Sequence, residues 1–237
     1  MTRDDEIAAN LQVVRERIAA AARAAGRAPD SVRLIAISKK MTAGDVRAAL
    51  QAGQRAFGEN YGQELRDKRA ALAGEPTAPE WHFVGPLQSN KVKYVAGQVA
   101  LIHTIDSIAL LDEVEARGAP QACLVQVNVA AEAQKRGVSP AELPALLDRF
   151  STAEHVRCAG LMLIPPFTDD PAAARPHFAA LRALRDREAA RPRPRVDLHE
   201  LSMGMSGDFE LAIAEGATLV RVGTAIFGAR RKVGLVH

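Results

Sequence analysis

Val32-Arg33-Leu34-Ile35-Ala36-Ile37-Ser38-Lys39-Lys40 runs from a nearly unbroken apolar segment straight into two lysines. Continuous aliphatic runs of this length, without polar alternation, suit strands of a parallel sheet covered on both faces. Seven further segments share that character, at residues 56–60, 81–85, 101–106, 122–129, 158–164, 200–204 and 219–223. No glycine-rich dinucleotide fingerprint follows the first strand, where Ser38-Lys39-Lys40 stands instead.

The intervening segments carry helix signals. Thr42 precedes AGDVRAALQAG as an N-cap, and Gly53 follows as a C′ residue. Ser107 precedes IALLDEVEARG, closed by Gly118 in the same way. Ser139 followed by Pro140 predicts an N-cap with proline at the first helical position. Residues 171–190 and 208–215 read as helices, and residues 4–25 as a helix before the first strand. Eight strands alternating with helices predict an α/β chain. The expectation is a single (β/α)8 TIM-type barrel with an extra N-terminal helix, one domain over residues 1–237. A doubly wound sheet is the alternative, which the count of eight disfavours. RPRPR at 191–195 reads as a loop, not a linker.

Composition narrows the function classes. The 237 residues come close to the roughly 250 of one such barrel, and 48% are hydrophobic, enough for a sizeable core. The net charge of +3, from 31 basic and 28 acidic residues, is spread along the chain. Nucleic-acid binding would want a clustered basic face with interleaved aromatics. The short run Arg230-Arg231-Lys232 reads as a solvated tail. Cys123 and Cys158 sit in apolar runs without metal-ligand spacing and read as buried thiols of a reducing compartment. The polar N-terminus lacks a signal-peptide core, and no apolar stretch approaches spanning length. The cytoplasm is the expected location, with neither nucleic acid nor membrane as partner.

In such barrels the site lies at the C-terminal ends of the strands. Lys39 falls there; burial or a neighbouring cation would make it a nucleophilic amine near neutral pH. It could equally end the strand and reach solvent. Lys40 should point the other way. The loops after strands seven and eight, where barrels commonly hold phosphate, combine glycine with hydroxyls. One carries Gly204, Ser206 and Gly207, the other Gly223 and Thr224. These glycines could also serve only tight turns. Arg221 shares a strand face with Gly223. Against a pyridine nitrogen an arginine can only donate, leaving that nitrogen unprotonated; a salt-bridged barrel arginine is the plainer reading. Other motifs fall away. Asp208 occupies the last glycine position of a nucleophile elbow, and no Walker loop or HExxH occurs. His82 and His103 read as core or rim histidines, and His199 as preceding strand seven, away from the site.

AISKK at 36–40, FGENY at 57–61, WHFVGPLQSNK at 81–91, QVNVAAEAQKRG at 126–137, GLMLI at 160–164, LSMGMSGDFELAI at 201–213 and VRVGTAIFGAR at 220–230 together resemble the pyridoxal phosphate homeostasis protein family, relatives of the alanine racemase barrel domain. The resemblance implies pyridoxal 5′-phosphate as cofactor, with Lys39 as the Schiff-base lysine and Asn60 beside the ring. It implies a phosphate cradle of Ser206, Gly207, Gly223 and Thr224, with Arg221 partnering the ring nitrogen. Alanine racemases resemble this barrel but add a β-rich domain that supplies a catalytic tyrosine. Here only residues 233–237 follow the barrel, and the chain has two tyrosines, Tyr61 and Tyr94. Racemisation needs a base on each face of the carbanion. The implied role is therefore a monomeric carrier in cofactor homeostasis without efficient catalysis, with pyridoxal-phosphate-dependent enzymes as recipients. A low-activity racemase is the alternative, followed by a Schiff-base aldolase.

Overall fold

A computed structural model of the chain describes residues 1–130, 132, 135–166 and 168–228. The basic run at 230–232 and the tail at 233–237 lie outside them. The strands are β1 (Arg33–Ile37), β2 (Ala56–Glu59), β3 (Glu80–Phe83), β4 (Leu101–Ile105), β5 (Gln121–Gln126), β6 (Val156–Met162), β7 (Val196–Ser202) and β8 (Leu219–Val222). All pair in parallel and in sequence order. β8 returns to β1, with Arg33 opposite Leu219 and Ala36 opposite Val222, so the sheet closes into a (β/α)8 barrel.

Around it lie α1 (Arg3–Ala24), α2 (Ala43–Gln51), α3 (Gly62–Ala71), α4 (Ile108–Glu115), α5 (Leu143–Ser151), α6 (Arg175–Ala189), α7 (Phe209–Ala214) and α8 (Thr224–Phe227). Thr2 and Thr42 cap α1 and α2 through reciprocal bonds with Asp5 and Asp45, and Ser107 caps α4. Such caps contribute about 1 kcal/mol each. A large apolar layer fills the space between sheet and helices. A smaller one of Ile35, Ala56, Leu101, Leu124, Ala159, Met162 and Leu219 plugs the barrel interior. Inner and outer layers draw on alternate residues of a strand, as in Leu219 inside and Val220 outside.

Several boundaries differ from the sequence reading. β1 stops at Ile37, because Met41 N–H donates to Ser38 O at 2.9 Å and closes a turn over Lys39-Lys40. β7 starts at Val196, four residues early, so His199 lies within it, exposed and paired with Asp197 and Glu200. The α5 helix begins at Leu143. Ser139 and Glu142 instead exchange hydrogen bonds in a turn before it. The stretch 171–190 divides into a 3₁₀ turn, Pro171–Ala174, and then α6. Cys123 and Cys158 are register partners on β5 and β6, both free and fully buried. Burial pushes both thiols up, Cys158 to about 12. Among the described residues, no helix is long and apolar enough to cross a membrane.

Candidate functional site

The strand ends converge on one cavity. Lys39 continues the inward face of Ile35 and Ile37 and is half-buried; Lys40 is exposed. Lys40 has φ 62°, a left-handed conformation that costs a non-glycine residue about 1–2 kcal/mol. The Glu64 carboxylate accepts its backbone N–H at 2.8 Å, holding it there.

A buried ionic cluster braces the same turn from beneath. Ser38 Oγ donates to Glu59 Oε1 at 2.6 Å, and Lys68 Nζ donates to that oxygen and to Ser38 O, each at 2.7 Å. Lys68 also meets Glu64 at 3.3 Å. Glu59 has no exposed surface, and burial pushes its carboxyl up against the opposing pull of Lys68 and Ser38. The sequence reading missed this cluster: Lys68 sits in a polar helix with few apolar markers.

Asn60 follows β2 and is set by a close backbone approach. A Cβ on Gly85 would stand 2.3 Å from Asn60 O, so only glycine fits there. Thr104 Oγ1 donates to Gly85 O at 2.7 Å and fixes it from the other side.

The loops after β7 and β8 touch. Gly204 turns at φ 91°, and a Cβ there would stand 2.6 Å from Ala212 Cβ. The next residue, Met205, donates its N–H to Asp208 Oδ1 at 2.6 Å. Ser206 Oγ accepts the Gly223 N–H at 3.4 Å, so Ser206, Gly207, Gly223 and Thr224 form one rim. Burial pushes the Asp208 carboxyl up, against the pull of the Met205 N–H and Arg221.

Arg221 is 5% exposed, and desolvation lowers its guanidinium to about 10 while Asp208 opposes the shift. Its Nη1 donates to Ser202 Oγ at 2.7 Å and its Nη2 to Leu163 O at 2.9 Å. Two of its five N–H groups are thus committed. The plainer expectation of a salt-bridged barrel arginine gives way to an arginine held by a hydroxyl and a carbonyl.

All seven residues singled out from sequence, Lys39, Asn60, Ser206, Gly207, Arg221, Gly223 and Thr224, line this cavity of about 300 Å³. Its remaining wall is Ile37, Val84, Ile164 and Met205, apolar side chains the sequence reading did not assign. Ile164 and Met205 are 44% and 38% exposed, apolar surface open for a flat ligand to cover. A second cavity of about 300 Å³ adjoins it, sharing Asn60, Val84 and Ile164 and adding Asn128, Lys135 and Arg136. A larger cleft of about 480 Å³ lies at the strands' N-terminal ends, lined by Arg15, Arg33, Arg55 and Glu80. The smaller cavity is the better candidate because it combines an amine, a donor rim and apolar walls at the C-terminal face. Its chemistry suits a planar carbonyl compound with an anionic tail.

The family model described as alanine racemase, N-terminal domain matches residues 5–231. A relative from Pseudomonas aeruginosa, named pyridoxal phosphate homeostasis protein, is 46% identical over 94% of this chain and 96% of its own. A solved structure of PipY from Synechococcus elongatus, with PLP bound, is 37% identical with a TM-score of 0.80, covering 94% of this chain and all of that one. The alanine racemase of Corynebacterium glutamicum shares the barrel alone, at 18% identity and TM-score 0.64, over 98% of this chain and 63% of that one.

Proposed function

Because the chain belongs to the pyridoxal phosphate homeostasis protein family, on the alanine racemase N-terminal barrel, we propose that it holds pyridoxal 5′-phosphate as a Schiff base on Lys39 and buffers or delivers that cofactor. The single observation that carries the reading is the convergence of Lys39, Arg221 and the Ser206–Thr224 rim on one small cavity. Lys39 Nζ, when neutral, adds to the aldehyde carbon, and loss of the carbonyl oxygen as water leaves the C=N bond. Backbone N–H groups and hydroxyls of Ser206, Gly207, Gly223 and Thr224 hold the phosphate. Asn60 and the apolar walls bracket the ring, and Arg221 donates to its nitrogen. The bound ring supplies an electron sink. Arg221 keeps that sink weak, because a donor-only partner does not support a protonated ring nitrogen.

A carrier rather than a racemase fits the lining. Besides Lys39 and Arg221 the described lining offers apolar side chains, Asn60 and the Ser206–Thr224 rim, with no carboxylate, imidazole or phenol to serve as base on the second face of a carbanion. The reading extends to a monomer in the cytoplasm that passes its cofactor to pyridoxal-phosphate-dependent enzymes. Two free, fully buried thiols are consistent with a reducing compartment.

The test is the spectrum and turnover of the purified protein. Wild type binds pyridoxal phosphate with a visible absorption band, and Lys39→Ala lacks the band while keeping its circular dichroism. Racemisation of D- or L-alanine near ~10 s⁻¹, an ordinary enzyme rate, would defeat the carrier reading. A coloured Lys39→Ala protein would defeat the anchor.

A further inference from the structure

A polar chain crosses the otherwise apolar barrel interior. Glu80 and His82 lie on one face of β3, His103 on β4, Ser202 on β7 and Arg221 on β8. Glu80 Oε1 meets His82 Nε2 at 2.8 Å, His82 Nδ1 meets His103 Nε2 at 2.9 Å, and His103 Nδ1 meets Ser202 Oγ at 2.8 Å. Ser202 Oγ then accepts from Arg221 Nη1 at 2.7 Å. His82, His103 and Ser202 have no exposed surface. Glu80 reaches solvent at the N-terminal face, where Arg33 pairs with it at 3.0 Å, and Arg221 meets the cavity at the other end.

With both rings neutral, the carboxylate end fixes the polarity of each link. An ionised Glu80 only accepts, so His82 donates to it from Nε2 and its Nδ1 accepts from His103 Nε2. His103 Nδ1 is then an acceptor and takes the Ser202 hydroxyl hydrogen. The other end agrees: a guanidinium only donates, and Ser202 Oγ keeps a lone pair to accept it. The Glu80 carboxyl is held low, chiefly by the bond from His82. Burial pushes both imidazoles down, His103 strongly, consistent with neutral rings that each give one bond and take one. Two neutral histidines of the same tautomer satisfy all four links.

We infer that His82, His103 and Ser202 are positioning residues: a one-directional hydrogen-bond relay from Arg221 to Glu80 that orients the guanidinium toward the cofactor's ring nitrogen. The inference rests on the reading that Arg221 faces that nitrogen. The relay gives Arg221 a hydroxyl oxygen instead of a carboxylate, so the guanidinium is oriented without a neutralising partner. It also makes the ring-nitrogen contact depend on a carboxylate at the far end of the barrel.

Nitrogen-15 imidazole shifts of the cofactor-free protein at neutral pH test the relay by itself. Both rings should be neutral with hydrogen on Nε2. Glu80→Gln, which keeps an acceptor oxygen, should preserve that pattern; Glu80→Leu should give mixed tautomers at both rings. A protonated ring or an Nδ1–H tautomer in wild type overturns the relay. The link to the cofactor is read by comparing pyridoxal phosphate with 1-deazapyridoxal phosphate, whose ring carries carbon in place of nitrogen. Ser202→Ala should weaken pyridoxal phosphate about ten-fold and leave the deaza analogue unchanged, with Ser202→Thr restoring the loss. Equal weakening of both ligands marks a merely structural effect and overturns the positioning role. Wild type that binds neither ligand refutes the proposed function instead, with the imidazole tautomers still deciding the relay.

Discussion

Lys68→Met removes the sole cation bonded to Glu59 among the described residues and leaves that carboxylate enclosed. Glu59 has no exposed surface, and its second oxygen, Oε2, already lacks a hydrogen-bond partner among the described residues. Breaking one partner of a buried ion pair typically costs about 3–5 kcal/mol. A chain of this length loses about 2–4 °C in Tm per kcal/mol, so the midpoint should fall by roughly 6–20 °C. The loss should depend on pH. Burial already raises the Glu59 carboxyl in the folded protein, and removing Lys68 raises it further. A group whose folded pKa lies above its unfolded value contributes most below the unfolded pKa and loses that contribution as pH rises through the folded pKa. The deficit of Lys68→Met should therefore be larger at pH 8 than at pH 5, shrinking as falling pH favours the protonated Glu59 carboxyl. Urea denaturation at both pH values reads this directly. Glu59→Gln in the Lys68→Met background should recover much of the loss, because a neutral amide needs no counter-charge. Cofactor binding should fall with the single variant, since Lys68 and Ser38 brace the turn that presents Lys39. A pH-independent loss below about 1 kcal/mol, or strict additivity in the double variant, would refute this account of the cluster.

Ser206→Ala with Thr224→Ala should weaken pyridoxal phosphate by roughly 10–100-fold, the worth of a hydrogen bond to a charged group. Pyridoxal, which lacks the phosphate, should be nearly unaffected; equal losses for both ligands would move the anion elsewhere. Cys123 and Cys158 should resist a thiol reagent in the native protein at pH 8, since burial lifts both thiols, Cys158 to about 12. Reaction within seconds under native conditions would contradict that enclosure.

The strands were legible where both faces are covered. LIAI of β1 and CLVQ of β5 read as continuous apolar runs because helices lie outside and the inner plug lies within. The start of β7 was not, because Val196 to Glu200 alternate with exposed Asp197 and His199 at the open end of the barrel. Likewise α3 buries only Gly62, Leu65 and Lys68, too few apolar positions for a helical stripe. The Ser139-Pro140 signal marks a turn, since Ser139 and Glu142 satisfy each other before the helix begins. The cavity-lining residues were predictable because a barrel brings every strand's C-terminal end to one mouth, whatever the separation in sequence. The relay was not. His103 and Ser202 are 99 residues apart, and their bond depends on how the strands stagger around the barrel. In one dimension each histidine looks like an isolated polar residue in an apolar run.

Borohydride reduction of the pyridoxal phosphate complex, followed by proteolysis and mass mapping of the fixed pyridoxyl group, locates the amine that holds the cofactor. One modified peptide is expected, carrying the group on Lys39. Label on Lys40, Lys68 or Lys135 instead, or a coloured complex that yields no fixed label, would contradict it.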